Sequence, residues 1–151
     1  MAYKHSSSAS MTIDAPIAEV FALLNDLNRL AEWTPFVKMD KSISWNVNEV
    51  GAGVGAVYSW SGKSVGDGTM TITSVSEPSE IHARMTFGPK NSAQTSYLLL
   101  AVGETTDVTW SMHGERGLRD QIIATVLGLD KMMDKNFANG LSDLKALIEA
   151  K

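Results

Sequence analysis

Positions 3–14 alternate strictly. Ala9, Met11 and Ile13 fall on one side, Ser8, Ser10 and Thr12 on the other. A period of two marks a strand with one buried face. Extended backwards without a bulge, that face takes in Ser7, His5 and Tyr3. Asp14-Ala15-Pro16 then reads as a helix start, with Asp14 as N-cap and Pro16 in the first turn. Val20, Phe21, Leu23 and Leu24 supply the apolar side of that helix. A second short helix is predicted over 27–33, ended by Thr34-Pro35 because the residue before a proline disfavours helical geometry.

From 38 to 115 the period stays near two. Strands are predicted over 39–45, 54–61, 66–76, 81–87, 93–102 and 106–114, separated by turn residues such as Ser61-Gly62-Lys63, Glu77-Pro78-Ser79 and Gly103-Glu104-Thr105. Short connections between consecutive strands favour an antiparallel meander over parallel crossovers. After 118 the period changes to that of a helix. Ile122, Val126, Leu129, Met133, Phe137, Leu141, Leu144 and Ile148 form one stripe, which Ile123, Leu127 and Met132 broaden. Unbroken from 119 to 150 this helix would run roughly 48 Å, longer than the sheet, so a break is expected near Gly128.

Parity assigns faces within the strands. Tyr58 and Trp60 share a side with Ala56; Gly68 and Met70 with Ile72; Met85 with Ile81, Ala83 and Phe87; Trp110 and Met112 with Val108. On the sixth strand either Thr95, Tyr97 and Leu99 or Ser96, Leu98 and Leu100 point inwards, and the first set is taken. Periodicity alone favours a filled core for these positions.

Composition narrows the partners. The chain has 151 residues, enough for one domain with a substantial core, and a net charge of −4 with its charges scattered. That pattern argues against a nucleic-acid partner. With no cysteine, thiolate metal ligands and cysteine nucleophiles are excluded, and the three histidines lack ligand spacing, so no metal is expected. No apolar run reaches the length of a membrane span and no secretion signal opens the chain, so a cytoplasmic protein is expected. The Gly-x-Gly pairs at 51–55 and 66–68 open no helix, so they are bends and not phosphate loops.

One strand, two short helices, six strands and a long helix is a distinctive order. Local motifs accompany it: Ile13-Asp14-Ala15-Pro16 with Val20-Phe21, then Glu32-Trp33-Thr34-Pro35-Phe36, and Gly53-Val54-Gly55-Ala56-Val57-Tyr58. Further along come Gly66-Asp67-Gly68-Thr69-Met70, Thr109-Trp110-Ser111-Met112-His113-Gly114 and Asn136-Phe137-Ala138-Asn139-Gly140-Leu141. In these the chain resembles the polyketide cyclase/dehydrase-like family of the SRPBCC superfamily, the helix-grip group that includes START domains and pollen-allergen-type ligand binders. The resemblance covers nearly the whole chain. It implies an α+β helix-grip fold over 1–151, a curved seven-stranded antiparallel sheet around a long C-terminal helix.

The resemblance also implies a pocket between sheet and C-terminal helix for a small hydrophobic molecule, aromatic, polyketide-like or lipid-like. Its expected walls are Trp60, Met70, Tyr97, Trp110, Met112 and Met133, with Tyr58, Met85 and Phe137 beside them. Trp33 and Phe36 would sit at its mouth, either as an aromatic gate or as a plug closing the sheet end. A cyclase or dehydratase would need a base and a proton donor there. Tyr58 and Tyr97 are candidate donors, and His5 is the candidate base, against the reading of an exposed terminal histidine. His82 and His113 fall on the outer face. Binding is therefore the first reading and a cofactor-free cyclase/dehydratase the alternative, in a monomer or homodimer.

Overall fold

The computed structural model describes residues 2–34, 37, 40–63, 66–87, 91–117 and 129–150. Seven strands form one antiparallel sheet: β1 (Ala2–Ile13), β2 (Ser44–Val47), β3 (Val57–Gly62), β4 (Gly66–Ser76), β5 (Glu80–Phe87), β6 (Asn91–Val102) and β7 (Thr105–Gly117). Their spatial order is β1-β7-β6-β5-β4-β3-β2. The meander from β2 to β7 follows the chain, and β1 adds at the far side, pairing Ser7 with Met112 and Ile13 with Thr106. A register shift between Ile72 and Ser74 bends β4, as bulges do in curved sheets.

The parity expected from sequence is the parity observed. Ile13, Tyr58, Met70, Ile72, Ile81, Ala83, Met85, Val108, Trp110 and Met112 are buried on the concave face. On β6 that face carries Thr95, Tyr97 and Leu99, while Leu98 and Leu100 are exposed. His113 is exposed on the convex side, and half-buried His82 there meets Glu80 at 3.0 Å.

Several boundaries differ from those expected, and three of the starts do so for a local reason. Helix α1 spans Ile17–Asn25 and its N-cap is Pro16, not Asp14. The Asp14 backbone N–H instead donates to Glu149 on the C-terminal helix at 2.9 Å. Strand β2 starts only at Ser44, because Asp40 accepts from both the N–H and the hydroxyl of Ser42 and its carbonyl accepts from Ile43, closing a turn. Strand β3 starts at Val57, since Asn48 gathers the preceding loop. The Asn48 side chain donates to the Gly55 carbonyl and accepts from the N–H groups of Gly51 and Val57. Gly51, Gly53 and Gly55 all have φ between 71 and 92°, a region costly for other residues.

The second short helix is a 3-10 helix, Leu27–Glu32, capped by the Asp26 carboxylate accepting from Asn28 N–H at 3.0 Å. The C-terminal helix, α2 (Leu129–Glu149), extends about 32 Å. Phe137, Leu141, Leu144 and Ile148 are buried along it and Met133 is half-buried, but Met132 is exposed and does not broaden the stripe. The expected break near Gly128 lies outside the described residues, as do Ile123 and Leu127.

Helix α2 lies along β1 and satisfies its open edge. Ser8 N–H donates to Asp134 at 2.9 Å, and Lys145 Nζ donates to the Thr12 carbonyl at 3.2 Å. An edge strand with unpaired backbone groups is a template for aggregation, and here helix side chains take those groups. Among the described residues no helix is long and apolar enough to cross a membrane.

Candidate ligand pocket

Register aligns a row of side chains across the concave face. Tyr58 on β3 pairs with Met70 on β4, Met70 with Met85 on β5, and Met85 with Ala93 on β6. One row over, Tyr97 pairs with Trp110 on β7. These strands wall a crevice, which also takes in Trp60 and Thr95. Leu30 of the 3-10 helix, Thr34 and Ile43 cover it from the other side. Counted out to solvent, the crevice holds about 410 Å³ of unfilled space, only a small part of it wide enough to admit a water molecule. It is apolar and narrow, with no charged residue among the described residues of its lining.

Two aromatic clusters border it. In the first, Trp33 meets Tyr97 and Trp110 edge-on, at centroid distances of 6.1 and 5.4 Å, and Trp110 stacks on Phe137 at 3.9 Å. Edge-to-face and offset-stacked pairs of this kind are favourable geometries for aromatic quadrupoles. The Trp110 indole N–H donates to Thr95 Oγ1 at 3.0 Å, and Thr95 donates in turn to the Ser111 carbonyl at 2.8 Å. In that cluster the Trp110 indole and the Thr95 hydroxyl are both satisfied. The second cluster reaches the surface. The Tyr58 ring meets Trp45, stacked at 5.6 Å and 18°, and Trp60, tilted at 6.1 Å and 38°. Trp45 is 43% exposed, so this cluster runs from the crevice lining at Tyr58 and Trp60 out to an exposed aromatic rim.

Tyr58 is 4% exposed, and its hydroxyl is buried with no hydrogen-bond partner. Burial pushes its pKa up to about 12, and burial raises that of Tyr97 further still. Both are neutral phenols at physiological pH: hydrogen-bond donors, not bases. Among the described residues no cluster of side chains could hold a metal ion.

Of the expected wall residues, Tyr58, Trp60, Met70, Met85, Tyr97 and Trp110 line the crevice. Met112, Met133 and Phe137 do not. Met112 pairs with Thr95 one register step away, and Phe137 is spent on stacking against Trp110. The crevice therefore lies between the sheet and the segment carrying Leu30, Thr34 and Ile43, not between the sheet and the described part of α2. Trp33 is 1% exposed and wedged against Tyr97 and Trp110, so it is a plug and not a rim residue. Phe36 lies outside the described residues. For His5 only the backbone is described, paired with Gly114 at the β1–β7 edge.

Sequence reasoning did not find Leu30, Thr34 or Ile43. Each belongs to a connection whose packing partner is far away in sequence. The role of Trp45 was equally hidden, though its alignment opposite Trp60 is a signal that strand pairing would have supplied.

A family model described as polyketide cyclase / dehydrase and lipid transport matches residues 4–149. The chain belongs to this family. No curated protein sequence matches it significantly. Among solved structures, truncated norcoclaurine synthase from Thalictrum flavum is similar at a TM-score of 0.71 and 9% identity, over 97% of this chain and 94% of that one. Ara h 8.0201 matches at 0.63 and 16% identity, over 99% and 100%. The Aha1 dimer from Colwellia psychrerythraea matches at 0.65 and 15% identity, over 94% of each. At such identities the likeness shows the helix-grip fold alone. Within the polyketide cyclase family the fold accommodates differing chemistries, and the site must be argued from its own residues.

Proposed function

We propose that this chain binds a small hydrophobic molecule, aromatic or polyketide-like, in the crevice between Tyr58, Met70, Met85 and Trp110. The observation that carries this reading is an apolar crevice whose wall residue Tyr58 stacks on the exposed ring of Trp45. Apolar clefts with few convergent polar groups are the usual form of small-molecule sites. Met70 and Met85 stand side by side on its sheet wall, and unbranched thioethers change rotamer readily, which is how a narrow crevice admits a planar guest. The family description, which joins cyclases with lipid transport, is compatible with either binding or catalysis.

Binding is favoured over the cyclase/dehydratase alternative by the chemistry of the lining. Acid–base catalysis at neutral pH needs a group that takes a proton there. The tyrosines in the crevice are held protonated by burial, and no described lining residue is a carboxylate, lysine or histidine. The same proposal takes residues 1–151 as one cytoplasmic domain, a monomer or homodimer, working without a cofactor.

Native mass spectrometry of the purified protein, with tryptophan-fluorescence titration by naphthalene-type ligands, tests the reading. Saturable quenching that Met70→Trp abolishes by filling the crevice is expected. A wild-type protein with no retained apolar mass and no saturable quenching would exclude it.

A further inference from the structure

Ordinarily a buried hydroxyl finds a partner, because leaving one unmade costs about 1–3 kcal/mol. Among the described residues Tyr58 Oη has none, and of the buried atoms there without partners, Ser7 Oγ and Asn25 Oδ1 being the others, it alone belongs to a residue of the crevice. Trp45 stacks on the ring and Trp60 lies tilted beside it, and these contacts restrain its rotation towards water. Thr95 cannot serve as an alternative donor, because its hydroxyl proton is already given to the Ser111 carbonyl. Among the described residues no cation lines the crevice. A carboxylate or phosphate placed there would lose its hydration without an opposite charge in return.

Resting on the pocket reading above, we infer that the ligand presents an uncharged carbonyl oxygen, of the ketone or ester type, to Tyr58 Oη. The hydroxyl is a donor waiting in place, so the bond forms without the cost of ordering the tyrosine. A ligand with only a hydrocarbon surface would leave the proton unsatisfied. An ionised fatty acid could not bring its head group to this position. Tyr58 is in this sense a specificity-determining residue: it selects for a carbonyl among molecules of equal shape. The aromatic rim sets the second requirement, a flat hydrocarbon body that packs beside Trp45 and Trp60.

Three probes of one shape separate the possibilities: 2-acetylnaphthalene, 2-ethylnaphthalene and 2-naphthoate. Dissociation constants come from fluorescence quenching or calorimetry, and the ketone stretch from infrared difference spectra. Wild-type protein should bind the ketone about tenfold more tightly than the ethyl compound, the worth of one neutral hydrogen bond, and the carboxylate most weakly. The bound C=O band should shift to lower frequency. In Tyr58→Phe the ketone and ethyl compounds should bind equally, and the band shift should vanish. A ketone preference that survives Tyr58→Phe, or tightest binding of the naphthoate, overturns the inference while leaving the pocket reading intact. Absence of saturable binding for all three overturns both. If Tyr58→Phe does not fold, the wild-type spectrum decides, since a band at its alkane-solution frequency also overturns the assignment.

Discussion

The Trp60 ring packs directly against Gly68, its cross-strand partner. A Cβ built on that glycine would lie 2.2 Å from Cζ2 of the indole and 2.4 Å from the Thr86 carbonyl oxygen. One of these neighbours is a side chain and the other is backbone, so moving the indole alone does not make room. Gly68→Ala should therefore destabilise the protein by about 1–3 kcal/mol and alter the tryptophan fluorescence. Denaturant unfolding measures the first and the emission spectrum the second. A variant as stable as wild type, with unchanged emission, would show that the β3–β4 ladder yields easily.

Tyr58→Phe should stabilise the ligand-free protein by about 1 kcal/mol, because it removes a buried hydroxyl that has no partner. Gaining stability at the expense of binding is the usual signature of a functional polar group. Ser7→Ala, which removes the other buried orphan hydroxyl, should be neutral or stabilising and leave ligand binding unchanged. Thermal melts and the titrations described above distinguish the two.

Alkaline titration follows from the same burial. The Tyr58 pKa is raised to about 12 in the folded protein, so its contribution to stability is complete below the ordinary tyrosine value near 10. It is lost as pH rises from 10 through 12. Tyr58→Phe should remove part of this alkaline loss, and Tyr97, raised by burial as well, should supply the rest. Ultraviolet difference spectra at rising pH would follow the phenolate, and one ionising normally at pH 10 in the folded protein would contradict the burial.

The β1 edge provides an acid-side test. The Asp14 backbone N–H and the Lys145 ammonium hold the Glu149 carboxyl below its usual value. A depressed folded pKa contributes stability above the unfolded value, and that contribution is lost as pH falls through the folded one. Glu149→Gln should flatten this acid limb. Asp134→Ala should speed hydrogen exchange at the Ser8 amide, which would lose its acceptor, with little change in global stability.

Asn48→Ala should cost about 1 kcal/mol and loosen the loop before β3, whose hydrogen bonds converge on that one exposed side chain. Asn48→Asp should lose only the bond to the Gly55 carbonyl and fall between the two. Equal stability of all three proteins would mean that the glycine conformations alone shape the loop.

The alternation of Ser8-Ala9-Ser10-Met11 and of Ile81-His82-Ala83-Arg84 determined which side of each strand faces inwards, because side chains along a strand can point only two ways. The motif order then carried the sheet, its short helices and its C-terminal helix, and six of the wall residues expected from it lie along the crevice. Tertiary structure alone decided the rest. Whether Trp33 is a gate or a plug depends on Tyr97 and Trp110, more than sixty positions away. Whether Met112, Met133 and Phe137 border space or fill it depends on how rings such as Trp110 and Phe137 stack. The missing partner of Tyr58 Oη is likewise invisible in a sequence. Local pattern assigns a face, but a void or an unsatisfied atom is a property of every neighbour at once, and only the folded chain brings those neighbours together.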